Sequence, residues 1–139
     1  MAFPEWTEEH NQLRDMVKDF AERELAPHRY EWDKAGCFPR EVFKQMAELG
    51  LLGIRFEEEY GGLGLDWWYT VAYVEGLSLC RNAGLMMSVL VDTDMATPII
   101  SEIGTKEQKE EFLAPVVAGE KIAALGVTEP GCGSDVASI

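Results

Sequence analysis

Apolar residues recur at steps of three and four along most of this chain, and that period limits its fold more than any other feature. Leu13, Met16, Val17, Phe20, Ala21 and Leu25 share one face, while Arg14, Asp15, Lys18, Asp19 and Glu22 fill the other, the pattern of a helix with one side buried. Thr7 is placed to cap it, and Glu8 and Glu9 put negative charge where the helix dipole favours it. Pro27 is expected to end or kink this helix. Phe38-Pro39-Arg40 opens a second helix with Val42, Phe43, Met46 and Leu49 as its apolar face and Gly50 just past its end. Asp66 can cap a third, Trp67 to Leu79, whose one charged residue, Glu75, marks it as buried on most of its surface.

A fourth helical stretch, Leu85 to Ile103, is interrupted by Pro98 and closed by Gly104. Thr105 and Gln108 then match a capping box ahead of a fifth, buried through Phe112, Leu113, Val116 and Val117. Helices of this number in the first 120 residues predict an all-α helical bundle. The pattern changes after Gly119. Residues 121–128, Lys-Ile-Ala-Ala-Leu-Gly-Val-Thr, read as a short strand, with a short buried helix as the alternative, and 129–135 as a turn. A lone strand leaves its N–H and C=O groups without partners. The expectation is therefore a helical domain over 1–120 and, over 121–139, the truncated start of a β domain.

Charge and composition remove several function classes. Acidic residues outnumber basic ones 25 to 12 among 139 residues, for a net charge of −13, which disfavours nucleic acid and anionic membranes because phosphates need clustered cations. The longest nearly uninterrupted apolar run, 83–91, is about half of the roughly 20 residues a membrane-spanning helix needs. The first residues lack the composition of a secretion signal or transit peptide. Cys37, Cys80 and Cys132 are odd in number and widely spaced, which suits reduced thiols and a cytoplasmic location.

Candidate sites each have a plain structural alternative. His10 and His28 have no second ligand at metal spacing and are expected at the surface, so no metal site is assigned. The run 57–59 is expected to be a solvated group of glutamates. Gly61-Gly-Leu-Gly64 looks superficially like a phosphate cradle but lacks a P-loop lysine, so a turn is expected. Met86, Met87 and Leu90 fall at helical spacing and could pack in a core or line an apolar tunnel. The segment 125–135, Leu-Gly-Val-Thr-Glu-Pro-Gly-Cys-Gly-Ser-Asp, combines a strand end, two hydroxyls and a glycine-bracketed turn. Such a piece can offer backbone N–H and C=O groups to a planar polar ring, or can be a strand leading into a capped turn.

Gly126-Val-Thr-Glu-Pro-Gly-Cys-Gly-Ser-Asp135 resembles the signature of acyl-CoA dehydrogenases. The Thr-Glu-Glu start of the first helix, Phe38-Pro39, Leu51-Leu-Gly-Ile54, the loop 58–65 and Gly104-Thr-Lys-Glu-Gln-Lys109 agree with it in order, so the resemblance covers the whole chain. It implies a three-part FAD flavoenzyme, usually a homotetramer, that desaturates an acyl-CoA thioester to the 2,3-enoyl-CoA and passes electrons to electron-transfer flavoprotein or another acceptor. This chain would supply the helical domain and the opening strand of the next.

By the same resemblance Leu125, Gly126, Val127 and Thr128 would face the flavin, with the Thr128 hydroxyl near its reactive edge. Gly133 and Ser134 would form the turn that touches cofactor and substrate, and Met86, Met87 and Leu90 would border the acyl chain. Cys132 stands where a smaller residue is common, and Leu125 replaces an aromatic of some members. The family's mechanism is α-proton abstraction by a carboxylate with hydride transfer to flavin N5. The carboxylate belongs to a C-terminal domain, so no catalytic residue is assigned here and the 139-residue chain is expected to be inactive and to hold FAD weakly. An acidic helical interaction module and a related flavoprotein such as an acyl-CoA oxidase are the alternatives.

Overall fold

The computed structural model describes residues 6–139. It is helical, as the period predicts, and among the described residues it contains no β-strand. The α-helices are α1 (Glu8–Phe20), α2 (Arg29–Ala35), α3 (Glu41–Glu48), α4 (Trp67–Leu77), α5 (Ala83–Leu90), α6 (Thr97–Ile103), the single turn α7 (Lys106–Gln108) and α8 (Ala114–Val117). The main core gathers Val17, Ala21 and Leu25 from the first helical run, Val42, Phe43 and Met46 from α3, Leu51 and Leu52, Tyr73 and Leu77 from α4, and Leu85 and Val89 from α5. A smaller cluster of Phe56, Leu113 and Val117 seats the last helical run.

Proline shapes these helices differently from the sequence expectation. Pro27 does not end the first helix. Ala26 N–H, just before it, bonds to Ala21 O, five residues back, and the chain stays helical through a 3₁₀ turn into α2. The same device recurs at Thr97 N–H to Asp92 O before Pro98, and at Ala114 N–H to Lys109 O before Pro115. A proline ring inside a regular helix collides with the carbonyl four residues back and lacks an N–H to satisfy it; a widened turn makes room for both. Chain that the sequence divides is thereby joined. In particular, 83–103 becomes one helix of 21 residues, long and apolar enough by length and composition to cross a membrane. That overturns the expectation drawn from the 83–91 run alone. Here its Leu85, Val89, Asp92, Thr93 and Thr97 face is buried in the bundle.

The predicted caps form where a side chain and the helix N–H groups meet locally. Asp66 Oδ1 accepts from Trp68 N–H at 2.8 Å, and Gly50 takes the left-handed conformation (φ 74°) after α3. Thr105 Oγ1 accepts from Gln108 N–H at 3.3 Å while Gln108 Oε1 accepts from Thr105 N–H at 2.8 Å. Removing one half of this reciprocal pair should weaken the last helical run, so Thr105→Ala is expected to lower stability by about 1 kcal/mol in urea unfolding. An unchanged midpoint would show the box to be energetically idle.

Some faces differ from expectation. Leu49 and Phe112 are exposed, and Trp67 and Val71 leave one side of α4 open to solvent. Gly104 is not left-handed (φ −66°); it is small because a Cβ there would lie 2.4 Å from Ile100 O.

Candidate functional site

The 121–139 segment leaves the bundle along a defined track. Glu120 and Lys121 N–H groups donate to Pro115 O at 2.9 and 3.1 Å, Arg40 Nη2 donates to Glu120 O, and Lys121 Nζ donates to Glu111 O at 2.7 Å. The next attachment is a short hydrogen bond from Ala123 N–H to Asp92 Oδ1. Beyond it, among the described residues, no hydrogen bond ties 124–128 to the helices. The predicted strand is therefore chain without a ladder: a strand is stable only beside another, and among the described residues none pairs with this one.

Leu125, Gly126, Val127 and Thr128 are all exposed, and a Cβ on Gly126 would meet nothing within 4 Å. The following turn closes on itself, with Glu129 N–H donating to Cys132 O at 2.9 Å and Cys132 N–H to Glu129 O at 3.2 Å. It brings Gly133 against Thr128, whose Cγ2 and Oγ1 would lie 3.6 and 3.9 Å from a Cβ at Gly133. Ser134 is exposed, and Asp135 Oδ2 accepts from Ser138 Oγ at 2.7 Å. Free main-chain groups at 125–128, with the Thr128 hydroxyl beside a close glycine turn, fit the edge of a planar polar ring. They supply one side of such a site.

Met86, Met87 and Leu90 are not gathered on one surface. Met86 and Leu90 are half-buried against the main core, whereas Met87 is 59% exposed. An open apolar cavity of about 480 Å³ lies elsewhere, lined by Ile99, Ile100, Ile103, Gly104, Gln108 and Phe112.

Two sequence expectations are corrected by geometry, and a third is met. His10 is buried, 7% exposed, with its ring 4.1 Å from that of Tyr69 and its Nδ1 accepting from Thr7 N–H at 3.1 Å; only His28 is at the surface. Glu57 is not simply solvated, since it accepts from Lys109 Nζ at 2.7 Å and Ser101 Oγ at 2.8 Å and so ties the glycine loop to the last helical run. Partial burial opposes its charge, but the Lys109, backbone and Ser101 hydrogen bonds together hold its carboxyl below the usual range. Gly61-Gly-Leu-Gly64 is a turn, as expected. The N–H groups of 61–65 go to Glu58, Glu57, Gly53, Phe56 and Ile54 carbonyls, which leaves none to cradle a phosphate.

A buried polar layer behind the extended segment escaped sequence reasoning. Asp92 and Thr97 are fully buried, and Thr93 is nearly so. Asp94 accepts from Thr93 Oγ1 at 2.6 Å and from Arg55 Nη2 at 3.1 Å, and the Arg55 guanidinium lies 3.5 Å from the centroid of the Trp67 ring. Asp92 Oδ2, Thr97 Oγ1 and Tyr73 OH have no partner. Burial pushes the Asp92 carboxyl up to about 6, against the lowering influence of the Ala123 hydrogen bond. The available signal was two carboxylates inside an otherwise apolar helical run.

Fold and segment together define a helical domain that delivers an exposed strip at its C-terminal edge. Residues 7–120 match the family model described as acyl-CoA dehydrogenase, N-terminal domain, and the chain belongs to the acyl-CoA dehydrogenase family. It is 45% identical over 132 residues to a probable acyl-CoA dehydrogenase of Bacillus subtilis, an alignment covering 94% of this chain and 34% of that protein. The solved acyl-CoA dehydrogenase of Geobacillus kaustophilus superposes with a TM-score of 0.90 at 38% identity, covering 99% of this chain and 36% of the other. An acyl-CoA dehydrogenase of Bacillus anthracis, solved in complex with FAD, matches with a TM-score of 0.84 at 31% identity, over 100% of this chain and 24% of its own. The chain thus spans about a third of the length of the relatives it matches.

Proposed function

We propose that this chain is the helical part of an FAD-dependent dehydrogenase that oxidises an acyl-CoA thioester to the 2,3-enoyl-CoA. The observation that carries this is the exposed strip 125–128 with its turn at Gly133 and Ser134, whose free polar groups suit a flavin edge, in a chain matched along its whole length by a relative solved with FAD. Main-chain groups of Leu125, Gly126 and Val127 and the Thr128 hydroxyl would hold and orient the ring. Ser134 would hydrogen-bond the substrate, and Met86, Met87 and Leu90 would border its acyl chain. Bound there, FAD would supply the hydride acceptor. Proton abstraction falls to a carboxylate outside these residues.

The division at residue 120 belongs to the same proposal, supported by the end of the family match and the change from helix to extended chain. A homotetrameric assembly, electron-transfer flavoprotein as acceptor and a cytoplasmic location are its further parts. The test is anaerobic titration of the protein that carries this chain with acyl-CoA thioesters of increasing length. Bleaching of bound flavin with release of the enoyl thioester is expected. A protein purified without flavin, or flavin left oxidised by every thioester, would overturn the proposal, and rapid reoxidation by oxygen would turn it towards an oxidase.

A further inference from the structure

The extended strip has one attachment to the helices near the residues that matter, and it comes from inside the bundle. Asp92 lies in the widened turn that Pro98 imposes between α5 and α6, fully buried, and its Oδ1 accepts the Ala123 N–H. Upstream attachments stop at Lys121, and downstream the chain is free until the turn at Glu129 closes on itself. Ala123 is thus the last fixed point before Leu125, and its direction decides where 125–128 run.

We propose that Asp92 is a positioning residue: its buried side-chain oxygen tethers Ala123 and so sets the exit path of the 125–128 strip from the helical domain. The tether rests on the functional proposal above for its purpose but not for its existence. A buried carboxylate with one oxygen unpartnered is an expensive way to pack a helix. A leucine shares the branched shape of the aspartate side chain but could not accept a hydrogen bond. Tethering through a side chain also couples the strip to the Pro98 turn, because a regular helical turn would place the carboxylate at a different angle and height.

The experiment is amide hydrogen exchange on the full 139-residue chain, read at single residues by NMR, for the wild type, Asp92→Asn and Asp92→Leu. In the wild type the Ala123 amide is expected to be protected while those of Leu125, Gly126 and Val127 exchange freely. Asp92→Leu should speed exchange at Ala123 by roughly tenfold or more with the Val89 and Leu113 amides unchanged, and Asp92→Asn, which keeps an acceptor oxygen, should preserve protection to within about twofold. An unprotected Ala123 amide in the wild type overturns the proposal even if Asp92→Leu does not fold. Equal protection in wild type and Asp92→Leu overturns it as well, as does loss in Asp92→Asn equal to that in Asp92→Leu. These readouts need no flavin. A protected Ala123 here, together with no flavin on the purified protein that carries this chain, would therefore sink the functional proposal and leave the tether standing.

Discussion

Gly76→Ala is expected to destabilise the chain by about 3 kcal/mol. Gly76 faces α1 from the last turn of α4, and a Cβ there would lie 2.6 Å from Arg14 O, 2.9 Å from Val17 Cβ and 3.0 Å from Lys18 N. Two of these three atoms belong to helix backbone, so the clash is relieved only by moving one helix away from the other. That movement would open the contact on which Val17, Ala21, Tyr73 and Leu77 are buried. Urea unfolding should show a lower midpoint at unchanged slope. A midpoint within experimental scatter of the wild type would mean that the two helices slide past the added methyl, and the close approach would not be the determinant of their packing.

Asp92→Asn is expected to act in the opposite direction, raising stability by on the order of 2 to 3 kcal/mol above pH 6. Burial raises the Asp92 carboxyl from 3.8 to about 6. Folded chain therefore holds more protons than unfolded chain between these values, and stability falls as pH rises from about 4 through 6. Below about pH 4 the acid is neutral in both states and the charge costs nothing. The gain from the amide should consequently be largest at pH 7 to 8 and vanish towards pH 4. The groups near Asp92 do not reverse this sign. Tyr73 on α4 is pushed up by burial and by Asp94, Asp92 and Cys80, Cys80 is itself raised by burial, and Asp94 is paired with Arg55. Thermal melts of both proteins across this range measure the difference. A gap independent of pH, or one that widens on acidification, would show that the buried charge is not what limits stability.

The helical character of the chain was legible because it depends on period alone. Val17, Ala21 and Leu25, and Val42, Phe43 and Met46, are buried as the spacing says, while Met16 of the first stripe stays exposed, and Asp66, Thr105 and Gly50 mark helix ends because a cap is a contact within four residues. Proline is less legible. Its local rule is to end or kink a helix, and at Pro27 and Pro98 the helical run continues through a turn widened by one residue, as it also does at Pro115. Leu49 and Phe112 carry the right spacing and still face solvent, since a stripe says which residues share a face and not how far a neighbour extends over it.

The candidate site divides in the same way. The turn at 129–132 follows from local chemistry, and the signature made the family readable from ten residues. Asp92 was invisible there: it meets Ala123 only after the chain has run through α6 and α8 and returned past the Pro98 turn, 31 residues further along. Met86, Met87 and Leu90 looked equivalent by spacing and are separated by what lies beside each of them.

By itself, then, the sequence determined the amphipathic helices with a stripe of their own and the caps at Asp66, Thr105 and Gly50, because each is specified by residues within one or two turns of each other. Only the tertiary structure decided that 83–103 is one helix, that His10 is buried and that a carboxylate inside the bundle holds the strip's last anchor. Those outcomes depend on how apolar faces from distant stretches close around polar atoms, and the free energy of that closure is not written in any local window.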